Sequence, residues 1–220
     1  MVVKQALVKH KTVKQLPKCR RGDVLCALEE LVGPEVQIRA QGLEKLLALD
    51  AHRRSPLVAT VLVSRVGEPD LDLRLEIVKA LAMVLRPVLD GPRSLESVRR
   101  WLRYTLSQMR RRETFALLQI IVTSSESLDP VCHVLDACSF SGGALVQILA
   151  DRNVDVAVRI AAAKAIGRIG FLEAEPVLQR LSQRLAGRRA GQMDLIPNHQ
   201  AQALLPEVIN ALHALGDGTD

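Results

Sequence analysis

Four cysteines and one histidine of this chain are of the residue types that bind zinc. They are Cys19, Cys26, Cys132, Cys138 and His133, which directly follows Cys132. Structural zinc sites normally place paired cysteines roughly two to four residues apart. Here six residues separate the first pair and five separate the second. This spacing favours ordinary buried thiols, and we expect no bound metal.

The histidines, glycines and carboxylates form no arrangement that is typical of catalysis. None of the five histidines begins the HExxH motif with which a helix binds zinc. The chain contains neither the GxGxxG pattern nor the GxxxxGKS or GxxxxGKT pattern of phosphate-binding loops. Adjacent carboxylates such as Glu29 and Glu30 are typical of a solvated helix face. The sequence therefore predicts no catalytic residue, no cofactor and no enzymatic activity.

Arginine-rich segments are the best candidates for a binding surface. A helix predicted from Ser94 to about Arg112 places Arg99, Arg103 and Arg110 within roughly 40° of one another around its axis. Guanidinium groups in such a line suit phosphates or an acidic partner. Arg184 and Arg188 are two further candidate partner-binding residues. The alternative is a solvated outer face whose aliphatic stems cover apolar neighbours.

The helices that would carry these arginines follow a repeated pattern. Residues 35–50, 70–85 and 155–170 align, each opening with an acid and carrying an aliphatic residue and then an arginine after the first turn. Apolar residues follow at helical spacing. Asp155 occupies the position of an N-cap and Gly170 that of a left-handed C-cap. Each unit therefore predicts a helix, a turn and a second helix.

Second helices and weaker copies extend this pattern. Second helices are expected from Pro56 to Val66 and from about Glu173 to Leu185. Weaker copies of the first helix cover 111–122 and 201–216. The chain is therefore expected to stack helical units one after another, as binding proteins often do.

The repeats divide the chain into a tail and one domain. Residues 1–21 form a basic N-terminal tail, and residues 22–220 hold the repeats. Two segments interrupt the rhythm. We expect 186–200 to be an inserted loop and 123–143 to be loops around one short helix.

The repeat resembles the HEAT repeat family, specifically the short bacterial type first associated with bilin lyases. The residues that carry the resemblance are Asp155, Val158, Arg159, Ala162, Ala163, Ala165, Ile166, Gly167, Ile169 and Gly170. It implies an all-α fold, an α-solenoid of about five HEAT-like helix pairs. It also implies a ladder in which the acid and arginine of neighbouring units pair, formed here by Asp70, Arg74, Asp155 and Arg159. The functions of the family are diverse, so only scaffolding and binding are implied.

Charge is concentrated in the tail. The chain carries a net charge of +6, yet residues 1–21 hold seven basic residues and no acid. We therefore expect only weak, non-specific binding of polyanions, by the tail. No apolar run approaches the roughly 20 residues of a membrane span, and the start lacks a secretion signal. These patterns predict a cytoplasmic protein.

Two functions remain open at this point. The first is a non-catalytic HEAT-repeat scaffold that binds a protein partner of unknown identity. The alternative is a nucleic-acid-binding, HEAT-like protein with a fold like that of the alkylpurine DNA glycosylases, using the basic tail and the arginine-rich helix. Aromatic residues make up only 2% of the chain, which disfavours sites that stack bases on rings. A bilin-lyase-like role is a third possibility, supported by the repeat subtype alone.

Overall fold

The chain is helical throughout the part that the structure describes. The computed structural model describes residues 21–86, 94–191 and 199–216, with side chains described outside 188–201. No strand occurs in these ranges. The twelve α-helices found there are α1 (Arg21–Leu31), α2 (Val36–Ala48), α3 (Ala51–Arg54), α4 (Pro56–Ser64), α5 (Leu71–Leu85), α6 (Glu96–Leu106), α7 (Arg111–Thr123), α8 (Leu128–Asp136), α9 (Ser141–Ala150), α10 (Val156–Ile169), α11 (Glu175–Gly191) and α12 (His199–Gly216). Single turns of 3₁₀ helix at Ser125–Ser127 and Leu172–Ala174 precede α8 and α11.

Five of these helices form a first row, in which each contacts the next. They are α2, α5, α7, α10 and α12, and they coincide with the copies of the repeat seen in the sequence. Beside this row, α4 packs against α6, and α9 contacts α11. This packing of neighbouring helices is solenoid-like, and the predicted all-α fold is confirmed.

Local side-chain chemistry sets where the repeat helices begin and end. Asp70 and Asp155 are N-caps whose carboxylates accept from Leu73 N at 2.9 Å and Ala157 N at 2.7 Å. These bonds satisfy amides of the first turn that have no partner within the helix. Gly170 ends α10 with φ of 79°, a conformation that glycine adopts without strain. The predicted cap and stop of this helix are confirmed.

Two predicted boundaries were wrong. The helix expected to run from Ser94 to Arg112 ends at Leu106, and a separate helix begins at Arg111. The carboxylate of Glu113 accepts a hydrogen bond from Arg110 N at 2.9 Å, which starts the second helix there. The loop expected over 186–200 is also shorter, because α11 continues to Gly191 and α12 begins at His199.

An aliphatic core joins the helices. Its largest fully buried side chains are all leucine or isoleucine, from Leu31 in α1 to Leu145 in α9. The short α8, expected as one helix among loops, packs against α5, α7 and α10. No helix among the described residues is long and apolar enough to cross a membrane. The basic tail lies outside the described residues except for Arg21, the first residue of α1.

Candidate functional site

Helix α6 presents the chain's single tryptophan and single tyrosine at the surface. Val98, Leu102 and Leu106 are fully buried and fix the inner face of the helix. The outer face must therefore carry the residues in between. Trp101 is 46% exposed and Tyr104 is 61% exposed. Large aromatic side chains left this open are candidates for a partner contact.

The two aromatic rings lie against each other, and the indole of Trp101 is also hydrogen-bonded to α4. Their centroids lie 5.6 Å apart with 39° between the ring planes. The indole Nε1 of Trp101 donates a hydrogen bond to Thr60 Oγ1 of α4 at 2.6 Å. Because α4 and α6 pack together, this bond ties the indole to a rigid pair of helices. Leu57, also on α4, is 53% exposed. We call Leu57, Trp101, Tyr104, Arg100 and Arg103 the α4–α6 surface.

The arginines of α6 divide into two kinds. Arg100 and Arg103 are exposed, and their guanidinium groups form no hydrogen bond or ion pair among the described residues. Arg99 is turned inward, with Nη2 3.5 Å from Leu85 O and Nη1 3.7 Å from Glu96 Oε2. Two of these three guanidinium groups are therefore available to a partner.

The predicted line of Arg99, Arg103 and Arg110 on one helix is wrong. Since α6 ends at Leu106, Arg110 belongs to the start of α7. Its guanidinium lies over the ring of Phe140, 4.4 Å from the centroid, and donates to Ser107 O at 3.4 Å. A cation held on an aromatic face serves to join α7 to the segment before α9.

The other two candidate arginines lie on α11, which packs against α12 and contacts α9. The side chain of Arg184 is exposed, and it has an interaction of its own within the chain. The side chain of Arg188 lies outside the described residues. They belong to a different helix pair from the α4–α6 surface.

A cavity of about 670 Å³ lies between α4, α5, α7 and the end of α6, and two of its lining residues contact Trp101. Thr60 and Thr105 line it, and both also bond to Trp101: Thr60 accepts from the indole, and Thr105 Oγ1 donates to Trp101 O at 3.0 Å. Arg112 and Phe115 form part of the wall. The cavity could receive a polar side chain from whatever contacts Trp101.

Arginines at the repeated position are all buried, at 9% exposure for Arg39, 6% for Arg74 and 5% for Arg159. Arg74 donates to Glu68 O, to Ala116 O at 3.0 Å and to Gln119 Oε1 at 3.0 Å. Arg159 donates to Leu149 O at 2.9 Å. Burial lowers the pKa of both guanidinium groups.

The predicted ladder of Asp70, Arg74, Asp155 and Arg159 does not form as expected. Both aspartates cap their own helices, so their carboxylates are turned to backbone amides rather than to an arginine of the next unit. The arginines instead hold backbone carbonyls of neighbouring segments. The buried carboxylate that pairs with a repeat arginine is Glu68, which the sequence did not single out.

Of the cysteines considered as metal ligands, Cys132 and Cys138 are buried as expected, whereas Cys26 is exposed and Cys19 lies outside the described residues. Burial raises the pKa of Cys132 to about 12, so its side chain is a neutral thiol at pH 7. His133 Nδ1 lies 2.6 Å from Asp129 O, and its Nε2 accepts from Arg86 Nε at 3.2 Å. Among the described residues no group of three potential ligands is arranged to hold a metal ion.

Comparison with known proteins identifies no family for this chain. No protein-family model and no curated protein matches this sequence. A crystal structure of an engineered protein is similar over 90% of this chain and 81% of that one, with a TM-score of 0.41 and 18% identity. Similarity at this level assigns neither a family nor a function to the chain.

The sequence shows the spacing of the aromatic pair, although not its exposure. Trp101 and Tyr104 are three residues apart and therefore share one side of a helix. They lie in a segment rich in arginine, and tryptophan, tyrosine and arginine are the residues enriched at the centres of protein interfaces.

Proposed function

We propose that this chain is a non-catalytic scaffold of the HEAT-repeat type that binds a protein partner through the α4–α6 surface. The supporting observation is the exposed ring pair of Trp101 and Tyr104, in which the indole of Trp101 is hydrogen-bonded to Thr60. Tryptophan, tyrosine and arginine dominate the energetic centres of protein interfaces. The two aromatic residues bury a large area at a small cost in side-chain entropy. A chain with one tryptophan and one tyrosine places both on this surface.

The charges around the pair indicate an acidic partner. Arg100, Arg103 and Arg112 are exposed and have no partner among the described residues. A guanidinium group presents a planar fork that binds a carboxylate with two parallel hydrogen bonds. We therefore propose that the partner contributes aspartate or glutamate side chains beside an apolar contact to Trp101.

Nucleic acid is the second candidate, and the same residues favour it. Single-stranded nucleic acids stack bases on aromatic rings and bind arginine through phosphates. The two candidates differ in salt dependence, since phosphate contacts release counterions and weaken steeply as salt rises. Cytoplasmic location and the absence of a cofactor and of enzymatic activity remain predictions from the sequence.

Photo-crosslinking in the cells that make the protein would test this proposal. Tyr104 is replaced by p-benzoylphenylalanine, the cells are irradiated, and the adducts are identified by mass spectrometry. A discrete protein adduct is expected, and Trp101→Ala in the same chain should reduce its yield by about tenfold, as loss of an interface centre does.

The matched control places the same photo-reactive residue at Leu172, which is 52% exposed before α11. Adducts obtained at both positions would reflect random encounter and contradict the scaffold proposal. An adduct that nuclease treatment removes would replace the protein partner with nucleic acid. The single tryptophan then gives a direct measure of affinity, because its emission reports contact with the purified partner.

A further inference from the structure

A second groove lies between α2 and α5, away from the α4–α6 surface. It encloses about 460 Å³. Its floor is apolar and is formed by Val36, Leu43 and Leu47 of α2 together with Leu73 of α5. An apolar groove of this kind suits a segment with apolar residues at helical spacing.

The rim of this α2–α5 groove is acidic. Glu44, Asp70, Asp72 and Glu76 line it, and no basic residue does. Asp70 is occupied as a helix cap, and Glu76 pairs with Lys79 at 2.7 Å. Glu44 and Asp72 are exposed and have no partner among the described residues. An occupant with several positive charges would therefore be attracted to the groove.

We propose that residues 1–20 of this chain bind in the α2–α5 groove. This segment carries six basic residues, no acid, and apolar residues such as Val3 and Leu7 at helical spacing. Its charge and apolar content match the rim and the floor of the groove. The inference concerns a different surface from the proposed partner site and does not depend on it.

The position of the segment favours binding within one chain. Residue 20 directly precedes α1, and α1 packs against α2, which forms one wall of the groove. Twenty residues can extend over about 60 Å, whereas α2 is only about 20 Å long. Tethering at this distance gives a local concentration on the order of millimolar, so modest attraction is enough for occupancy.

Zero-length carbodiimide crosslinking of the full chain would test the proposal. The reagent joins lysine amines to carboxylates that are already in contact, and mass spectrometry of the monomer fraction identifies the pairs. Links from Lys4, Lys9, Lys11, Lys14 or Lys18 to Glu44, Asp72 or Glu76 are expected. Links to Glu173 and Glu175, which are exposed elsewhere, serve as the background.

The proposal would be overturned if crosslinks from residues 1–20 to Glu173 and Glu175 were as frequent as crosslinks to the carboxylates of the groove. Groove links found only in a dimer fraction would overturn it in favour of a second copy as the occupant. In a further measurement, Asp72→Lys with Glu76→Lys should speed tryptic cleavage at Lys9, Lys11 and Lys14 by about tenfold. The same change of charge at Glu173 and Glu175 should leave that rate unchanged; equal acceleration by both variants would also overturn it.

Discussion

The guanidinium group of Arg39 in α2 donates two hydrogen bonds to the buried carboxylate of Glu68. Its Nε lies 3.2 Å from Oε2 and its Nη2 lies 2.5 Å from Oε1, with the Glu68 side chain fully buried. The same guanidinium donates to the carbonyls of Gly33 at 3.3 Å and Pro34 at 2.6 Å. One side chain therefore fixes both the turn before α2 and the segment that leads into α5.

Removing the carboxylate of this pair should be costly. In Glu68→Ala the charge of Arg39 stays buried without its partner, and we expect a loss of about 3–5 kcal/mol in the free energy of unfolding. Urea denaturation followed by circular dichroism measures it. The control is Glu76→Ala, an exposed residue paired with Lys79, which should cost under about 1 kcal/mol. Similar losses in the two variants would place Glu68 at the surface in solution.

Two arginines at the same repeat position should respond differently to the same substitution. Arg39→Met leaves the buried Glu68 carboxylate with Arg65, at 3.9 Å, as its one cationic partner among the described residues, beside a long hydrogen bond of 3.5 Å from Asp70 N, and should cost about 3 kcal/mol or more. Arg159→Met removes a hydrogen bond to Leu149 O and should cost about 1–2 kcal/mol, because it leaves no buried carboxylate without a partner. Denaturation of both variants side by side measures the difference. An equally large loss for Arg159→Met would indicate that it pairs with an acid after all.

The sequence predicts the repeat helices and the importance of their arginines but not the arginines' partners. Helix positions depend on local spacing and caps, as at Asp155 and Gly170, which a sequence displays. The partner of Arg39 lies 29 residues away, in a turn whose position depends on how α2 and α5 pack. The exposure of Trp101 is also set by tertiary packing, since nothing in α6 itself shows that no helix covers that face.

Close contact between α1 and α2 requires a glycine. A methyl group added at Gly42 would lie 2.6 Å from Leu31 N and 2.7 Å from Ala27 O, both backbone atoms that cannot turn aside. Gly42→Ala should therefore cost about 2 kcal/mol or more, despite the better helix propensity of alanine. Gly143→Ala is the control, because that helical glycine has open space around it and should gain up to about 1 kcal/mol. Thermal unfolding of the two variants should shift in opposite directions.

Thiol reactivity should distinguish the cysteines of the helices. Cys132 and Cys138 are buried, and burial raises the pKa of both, whereas Cys26 is exposed. Since only the thiolate attacks, native protein should be alkylated rapidly at Cys26 and slowly at the other two. Iodoacetamide labelling with mass spectrometry, native and in urea, measures the rates. Equal labelling of Cys132 and Cys26 in the native protein would contradict the packing of α8.

Stability should fall in mild acid because of His52. Its ring is buried, its nitrogens have no hydrogen-bond partner among the described residues, and burial lowers its pKa to about 4 despite Asp50 nearby. In the unfolded chain the imidazole of His52 is protonated near pH 6.5, whereas in the folded chain it is protonated only near pH 4. As pH falls through this window, up to about 3 kcal/mol of stability should be lost.

Urea unfolding at pH 7.5, 5.5 and 4.5 should show a smaller decline in His52→Leu than in the wild type, while the exposed His213→Leu should follow the wild type. Parallel declines in all three proteins would mean that folding does not lower the pKa of His52.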